Sequence, residues 1–207
     1  MTTAYTYNSR GLLTAVTDAL NQAEGYTYDT NGNVLTKTDR NSTTFSYTYD
    51  GAGRLLNTKN GLNVLASFTY TLTGAVRTEQ NTNLTATYTY DTLGRVTKVS
   101  ESNTGVGSGR GSVEKSYSYN DVAGGRTAFT LKVNNVTEMG QTYAYDEMNR
   151  LTGVYSGGAL EAAYTHDSNG NRASLMLGNG VVIDYTYNKA NLGAKGTSSC
   201  VKSLTFP

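Results

Sequence analysis

The sequence predicts an all-β fold, a continuous antiparallel β-hairpin meander. Two observations predict it. A unit with two aromatic residues separated by one residue recurs about every 21 residues, and a glycine or asparagine follows four residues after most of these units. Tyrosine, threonine and valine, which suit a pleated surface, are abundant, whereas runs of helix-forming residues are nearly absent. A repeat of this length predicts an array of identical supersecondary units.

The repeats align on the second aromatic of each unit. The steps between these reference aromatics are 21, 21, 21, 20, 29, 26, 21 and 21 residues. Of the 17 tyrosines, only Tyr155 lies outside the units. The array therefore has about nine units and covers residues 1–192. The reference aromatics are Tyr7, Tyr28, Tyr49, Tyr70, Tyr90, Tyr119, Tyr145, His166 in place of a tyrosine, and Tyr187.

Each unit is predicted to be a β-hairpin, as the stretch YTYDGAGRLL at residues 47–56 illustrates. Tyr47 and Tyr49 lie two residues apart and share one face of a strand, whereas Thr48 faces the other way. Aspartate or asparagine at the first turn position and glycine at the fourth indicate a type I turn closed by a glycine bulge. We call this the YD turn. It predicts positive φ at Gly32, Gly53 and Gly94, and the extra residue in the sixth unit predicts a different turn there.

This register places the residue six positions after each reference aromatic directly across from it. An aromatic opposite a branched aliphatic is a favourable cross-strand pair, worth a few tenths to about 1 kcal/mol. Asp50 likewise faces Arg54, Asp91 faces Arg95, and Asp146 faces Arg150. The aliphatic partners are Leu13, Val34, Leu55, Val76, Val96 and Leu151.

The connections between hairpins, here called linking turns, repeat as well. Polar turn-forming clusters contain Asp18, Asp39, Asn60 and Asn81, spaced by 21 residues. Residues 100–112 account for the 29-residue step as a flexible insertion or a longer hairpin tip. Residues 193–207 abandon the alternation and are predicted to form a divergent, poorly ordered tail.

Composition narrows the classes of function. The formal net charge is +1 and the basic residues are scattered, so nucleic acid is not an expected partner. No apolar stretch approaches the roughly 20 residues of a membrane-spanning helix, so we expect no membrane insertion by this segment. The first residues, MTTAYTYNSR, show no signal peptide. Cys200 is the single cysteine, which excludes an internal disulfide bond.

The unit YTYDxxGRL resembles the YD repeat of the rearrangement-hotspot (Rhs) family. That family includes bacterial polymorphic toxins, the C-component of Tc toxin complexes, wall-associated proteins and teneurins, and the resemblance covers residues 5 to about 192. It implies a curved or spiral sheet segment of a hollow shell. In the bacterial members the shell encloses a C-terminal toxin, and in teneurins it belongs to an extracellular adhesion module. With one proline, Pro207, the chain lacks the shell-closing motif of the bacterial members, and nine units are fewer than a closed shell uses.

The recurring aspartates could be calcium ligands or acid–base groups. Corresponding positions hold Asn8, Thr71, Asn120 and Asn188, which suit a turn but cannot act as general acids. We therefore interpret the aspartates as turn residues. The aspartates concerned are Asp29, Asp50, Asp91, Asp146 and Asp167.

Other candidate sites are weaker still. One histidine, His166, cannot form a histidine-rich metal site and is interpreted as a substituted ladder aromatic. Cys200 lies in the divergent tail, where a nucleophile is not expected. The sequence GVGSGRG at 105–111 lacks the ending and context of a phosphate-binding loop. The glycosylation triplets at Asn41, Asn83 and Asn135 are expected by chance in a chain rich in asparagine and threonine.

Two hypotheses for function follow. The first is a non-enzymatic segment of an Rhs-type shell, whose partners are the rest of the shell and an enclosed C-terminal toxin or effector. The alternative is a secreted or surface module whose tyrosine stripes bind cell-surface glycans. We favour packing of the tyrosines over exposure, because aliphatic partners lie opposite most of them. Either way we expect a secreted or cell-surface location as part of a larger protein. We expect no catalytic, cofactor-binding or metal-binding residues, and no cofactor.

Overall fold

The computed structural model describes residues 2–103, 111–120, 122–187 and 193–200. Strands dominate this part of the chain, and no helix occurs among these residues, which confirms the all-β prediction. The described strands are β1 (Ala4–Tyr7), β2 (Leu13–Thr17), β3 (Ala23–Tyr28), β4 (Val34–Thr38), β5 (Thr44–Tyr49), β6 (Leu55–Asn60), β7 (Asn63–Tyr70), β8 (Val76–Asn81), β9 (Leu84–Tyr90), β10 (Val96–Asn103), β11 (Val113–Tyr119), β12 (Arg126–Val133), β13 (Val136–Tyr145), β14 (Leu151–Ser156), β15 (Ala159–His166), β16 (Arg172–Leu177), β17 (Val181–Tyr187) and β18 (Gly193–Cys200).

The chain divides into two compact units. Unit 1 comprises Met1–Arg95 and Val99–Ser112, and unit 2 comprises Val96–Lys98 and Val113–Pro207. In unit 1 each strand from β1 to β9 pairs antiparallel with the next. In unit 2 the same holds from β11 to β18. Each unit is thus the predicted antiparallel hairpin meander.

The YD turns have the predicted geometry. In the hairpin of β5 and β6, the Asp50 N–H donates to the Arg54 carbonyl and the Gly53 N–H donates to the Asp50 carbonyl, both at 3.0 Å. Gly53 has φ +78°, a left-handed conformation that costs an L-residue about 1–2 kcal/mol. Gly32 and Gly94, at +93° and +79°, confirm the prediction as well.

The sixth hairpin departs from this geometry as predicted. Its turn is one residue longer, because the Asn120 N–H bonds the Gly125 carbonyl at 2.8 Å. The left-handed residue is Gly124, at φ +74°. The inserted residue therefore lengthens the turn.

Five of the six predicted aromatic–aliphatic cross-strand pairs are observed. Each is accompanied by a shift of register beside the reference aromatic, so the bulge recurs with the repeat. The partner of His166 is Arg172, and the pair of Tyr90 with Val96 stays a prediction. The observed aromatic–aliphatic pairs are Tyr7 with Leu13, Tyr28 with Val34, Tyr49 with Leu55, Tyr70 with Val76, and Tyr145 with Leu151.

The linking turns lie where the sequence predicts them but differ in geometry. Those beginning at Asp18 and Asp39 are three-residue loops that end in a left-handed Asn21 (φ 61°) and Ser42 (φ 63°). At the next equivalent position, Asn60 pairs with Asn63, so only two residues connect β6 and β7. The 21-residue spacing therefore predicts where each linking turn lies but not its type.

Few side chains are buried. Among the described residues only Ala86 and Ala162 are, at 6% and 8% exposure. A sheet that is not covered by a second layer leaves both of its faces accessible to solvent. Its side chains therefore shield mainly one another, along each face.

The predicted insertion and tail lie partly outside the described residues. Strand β10 extends to Asn103 and β11 begins at Val113, while residues 104–110 and 201–207 are not described. Within the predicted tail, β18 pairs with β17, with Val181 opposite Cys200. Backbone pairing needs only N–H and carbonyl groups, so it does not require the side-chain alternation that the tail lacks. The boundaries of the insertion and of the tail stay predictions.

Candidate functional site: the tyrosine face

The two faces of the repeat sheet differ in chemistry. In β5, Phe45, Tyr47 and Tyr49 point to one side, and Ser46 and Thr48 to the other. We call the side that carries the reference aromatics the tyrosine face and the opposite side the threonine face. The rings of Tyr47 and Tyr49 are half-buried, whereas Thr48 is exposed.

The tyrosine hydroxyls form a ladder of hydrogen bonds between successive repeats. The Tyr49 hydroxyl donates to the Val34 carbonyl at 2.9 Å, and Val34 is the residue opposite the preceding reference aromatic, Tyr28. The same bond is made by seven of the nine reference aromatics, and each bond joins a hairpin to the one before it. The other bonds are Tyr28 to Leu13, Tyr70 to Leu55, Tyr90 to Val76, Tyr119 to Val96, Tyr145 to Arg126 and Tyr187 to Arg172, all at 2.6–2.9 Å.

Sequence reasoning did not predict these hydroxyl bonds, although the sequence contains a signal for them. Phenylalanine occurs four times in the chain but at none of the nine reference positions. A position that only packed a ring would accept phenylalanine. Tyrosine at eight of the nine positions, and phenylalanine at none, indicates that the hydroxyl contributes there.

Arginine strengthens the same connection at the YD turns. Arg54 Nε lies 2.7 Å from Asp50 Oδ2, as the sequence predicts. Its guanidinium lies 4.5 Å from the ring centroid of Tyr70 in the next repeat, and the Arg54 Nη1 donates to the Thr71 carbonyl at 3.4 Å. Arg150 repeats the pattern, with Asp146 Oδ2 at 2.7 Å and the Asp167 carbonyl at 3.5 Å. One arginine thus joins its own turn to the following one.

The recurring aspartates make the contacts of turn residues. Asp50 Oδ1 accepts the N–H groups of Ala52 and Arg54 at 2.9 and 3.0 Å, and Oδ2 accepts from the Arg54 side chain. The Arg54 N–H is the largest cause that holds the pKa of Asp50 below its usual value. In the second repeat the Asn33 amide replaces the arginine, at 2.9 Å from Asp29 Oδ2, and lowers the pKa of Asp29.

The remaining candidates are not brought together into a site. His166 is half-buried in the aromatic position, opposite Arg172. Asn41, Asn83 and Asn135 are exposed in linking turns. Within the described part of the chain, no group of three or more histidine, cysteine, aspartate or glutamate residues could hold a metal ion. The Cys200 side chain and residues 105–110 lie outside the description.

The threonine face carries pairs of side-chain hydrogen-bonding groups that recur with the repeat. Cross-strand hydroxyl pairs recur at the positions that precede the reference aromatics. Their oxygen atoms lie 2.6–2.7 Å apart, and in the third repeat Asn57 takes the place of the second hydroxyl, at 3.1 Å from Thr48. The hydroxyl pairs are Thr27 with Thr36, Thr69 with Thr78, and Thr165 with Ser174.

Comparison with known proteins assigns this repeat to a family. A family model described as Teneurin YD-shell matches residues 1–108, just over half of the 207 residues. The chain belongs to the teneurin YD-shell family. No curated protein matches this YD-shell chain. The resemblance to YD repeats is thereby confirmed.

Solved Tc toxin structures share the fold of this YD-shell chain. One is the crystal structure of TcdB2-TccC3-Cdc42, with a TM-score of 0.69 at 14% identity over 95% of this chain and 11% of that one. Another is the Photorhabdus luminescens Tc holotoxin pore with the mutation TccC3-D651A, at 0.69, 14%, 96% and 11%. The chain thus spans about a ninth of the length of these structures.

Family and fold together identify this chain as a structural segment of a YD shell. The contacts of the tyrosine face are those of a wall, because they connect repeat to repeat. In the described residues no helix has the length and apolar character needed to cross a membrane.

Proposed function

We propose that this segment is a non-enzymatic part of a shell wall whose parent protein encloses or presents a C-terminal toxin or effector domain. The tyrosine ladder supports the proposal, because the hydroxyls of seven of the nine reference aromatics donate hydrogen bonds that join one repeat to the next. The partners are then the remaining shell repeats and the enclosed domain. The parent protein acts in a secreted or cell-surface setting.

Protection of an enclosed domain tests this function. The full-length gene product that contains this segment is treated with a nonspecific protease at neutral pH. We expect a C-terminal domain to survive in the wild type and to be digested in a Tyr49→Ala, Tyr70→Ala variant, which opens the ladder at two adjacent steps. Thr48→Val is the matched control, since it changes the opposite face of the same strand and should leave protection intact.

Two results would contradict the proposal. Equal digestion of the C-terminal domain in the wild type and in the ladder variant would show that the wall does not enclose it. If the gene encodes no domain beyond the shell repeats, the proposed enclosure of a toxin would be wrong, whereas the assignment of this segment to a shell wall would not be affected.

Glycan binding by the tyrosine stripes is less well supported. A binding platform needs free ring faces, and the guanidinium of Arg54 lies over the Tyr70 ring, as that of Arg172 lies 4.6 Å from the ring centroid of Tyr164. A glycan array probed with the wild type and with Tyr49→Ala separates the two hypotheses. Saturable binding to one glycan class, lost in a variant of unchanged melting temperature, would favour the adhesion module.

A further inference from the structure

The eighth repeat replaces both members of the cross-strand pair that most hairpins share. Five hairpins place a tyrosine opposite a leucine or valine, whereas here His166 lies opposite Arg172. Paired residues of an antiparallel sheet lie about 4.5–5.5 Å apart at Cα and point to the same face. The tyrosine face of unit 2 therefore carries an imidazole and a guanidinium side by side. We call these two residues the His–Arg pair.

The Arg172 side chain is held against aromatic rings. Its guanidinium carbon lies 4.6 Å from the ring centroid of Tyr164 and 5.9 Å from that of Tyr185. Among the residues that the structure describes, its side-chain N–H groups donate to no oxygen atom. Arg54, by contrast, lies over a tyrosine ring and also contacts the carboxylate of Asp50. A guanidinium that is fixed on aromatic rings keeps the N–H groups at its edge available for a planar oxyanion.

The half-buried His166 imidazole is likewise not engaged by its neighbours. Every other reference aromatic from Tyr28 to Tyr187 donates its hydroxyl to the preceding repeat. Within the described part of the chain, the His166 side chain makes no hydrogen bond of this kind or any other. A neutral imidazole has one N–H donor, and a protonated imidazole has two. These donors are therefore available to the same ligand as the Arg172 guanidinium.

The carboxylates of the neighbouring strands and turn make other contacts. Asp167 Oδ2, in the turn, accepts the Asn171 amide at 3.0 Å. Glu161 Oε2, on β15, accepts a side-chain amide of β13 at 3.1 Å. Asp184 lies opposite Ser174 and so belongs to the threonine face. Within the described part of these elements, no carboxylate neutralises the His–Arg pair.

We propose that the His–Arg pair binds an oxyanion, either inorganic phosphate or a carboxylate of a polypeptide. The guanidinium offers two parallel N–H groups to two oxygen atoms of the ligand, the bidentate arrangement that arginine forms with carboxylate and phosphate. The imidazole donates one further N–H to the same group. The site is separate from the tyrosine ladder, because His166 contributes no bond to the ladder, and it does not depend on what the shell encloses.

The single histidine of the chain is a direct reporter of the site. Its Hε1 proton gives one imidazole signal in the proton NMR spectrum of the chain without an affinity tag. Sodium phosphate is added at fixed pH and fixed ionic strength, with sodium chloride as the reference salt. We expect the signal to move saturably with phosphate and not with chloride.

Two arginine variants locate the anion. Arg172→Leu introduces the aliphatic residue of the other hairpins and keeps the reporter. It should weaken phosphate binding about tenfold, as expected for the loss of a charge-assisted hydrogen bond. Arg126→Leu is the matched control, because Arg126 occupies the same position in the sixth hairpin, opposite Tyr119 and 5.0 Å from the ring centroid of Tyr143. It removes the same charge and should leave the response of the His166 signal unchanged.

A histidine variant tests the other member of the pair. His166→Tyr introduces the residue of the other hairpins at this position, so we expect the variant to fold. The Nε–Hε signal of Arg172 reports phosphate in this variant and in the wild type. We expect phosphate binding to weaken severalfold, because one donor to the anion is lost.

A second ligand separates the two sources of the oxyanion. Saturation by acetyl-Gly-Glu-Gly-amide, absent with the glutamine version of the peptide, would identify a polypeptide carboxylate as a ligand. Saturation by phosphate without a response to the glutamate peptide would identify the free phosphate ion.

Three results would overturn the proposal. The first is an equal movement of the His166 signal with chloride and with phosphate, which would be a general effect of salt. The second is an equal response in the wild type and in Arg172→Leu, which would place the anion elsewhere. The third is an equal loss of binding in Arg172→Leu and Arg126→Leu, which would reflect the net charge of the chain alone.

Discussion

The YD turns and the linking turns differ in how closely their geometry repeats along the chain. The YD turns that follow Tyr28, Tyr49 and Tyr90 share one hydrogen-bonding pattern, and each has a glycine at φ between +78° and +93°. The linking turns have three-residue loops at Asp18 and Asp39 but a two-residue connection at Asn60. Both kinds of turn connect neighbouring antiparallel strands, so strand pairing alone does not account for the difference.

Contacts between repeats account for it. At the YD turns, Arg54 reaches the next turn, and the hydroxyl of Tyr49 reaches back to Val34. A turn of another shape would misplace the arginine. The longer turn of the sixth hairpin has Gly125 in the place of the arginine, although the Tyr119 hydroxyl still donates to the Val96 carbonyl at 2.8 Å. At the linking turns the contacts are exposed ion pairs such as Arg40 with Asp18 at 3.6 Å, which contribute little and tolerate different geometries. A turn that positions a contact to its neighbour is constrained, and one that only reverses the chain is not.

The largest expected effect is the loss of a ladder tyrosine. Tyr49→Ala removes a half-buried ring and the bond to Val34, and we expect it to lower the free energy of unfolding by about 2–3 kcal/mol, somewhat less than for a fully buried ring. Tyr7→Ala is the matched control, because this reference aromatic is 58% exposed. Urea denaturation of both variants measures the difference. Equal costs would contradict a ladder role for Tyr49.

Removal of the hydroxyl alone sharpens the same test. Tyr49→Phe keeps the ring but leaves the Val34 carbonyl without its donor, and it should cost about 1 kcal/mol. The same urea series measures it. A phenylalanine variant as stable as the wild type would mean that the ring, and not the hydroxyl, joins the repeats.

Substitutions at left-handed residues should change the stability in opposite directions in the YD turns and in the linking turns. Gly53→Val places a β-branched residue at φ +78° and should cost about 1–2 kcal/mol. Ser42→Gly, at φ +63° in a linking turn, relieves the corresponding strain and should stabilise by up to about 1 kcal/mol. Thermal unfolding of the two variants checks the signs. A change of the same sign in both would contradict the assignment of strain.

Acid should weaken the YD turns. The Asn33 and Asn171 amides lower the pKa values of Asp29 and Asp167, and the Arg54 N–H lowers that of Asp50. Because the folded pKa values are depressed, their contribution is fully present above the unfolded pKa of about 3.9 and is lost as the pH falls through the folded values. We expect the melting temperature to fall below about pH 4.

Asparagine substitution is the control for this pH dependence. Asn8 caps its turn as the aspartates do, with Oδ1 accepting the N–H groups of Arg10 and Leu12 at 2.9 and 3.0 Å. A variant with asparagine at positions 29, 50 and 167 should therefore keep its turns and show a flatter melting profile between pH 5 and pH 3. An unchanged slope would assign the acid sensitivity to other groups.

The smallest expected effect lies on the threonine face. Thr48→Val removes one exposed hydroxyl, which accepts a hydrogen bond from Asn57 Nδ2 at 3.1 Å. The substitution should change the free energy of unfolding by less than about 0.5 kcal/mol. Urea denaturation beside Gly53→Val checks it, and a cost as large as that of the glycine variant would contradict the turn assignment.

The sequence by itself determined the local features of each repeat. The left-handed conformation of Gly53, the pairing of Tyr49 with Leu55 and the contact of Asp50 with Arg54 all join residues within one hairpin. Spacing of two along a strand and the chemistry of a short turn decide such features. The longer turn of the sixth hairpin followed from a count of residues.

Only the tertiary structure decided the contacts between repeats. The Tyr49 hydroxyl reaches a carbonyl 15 residues away, and Arg54 lies over the ring of Tyr70. These contacts depend on how far one strand is shifted against the next and on where each bulge falls, and neither quantity can be read from the period of the repeat, because the linking turns that connect the hairpins vary in length.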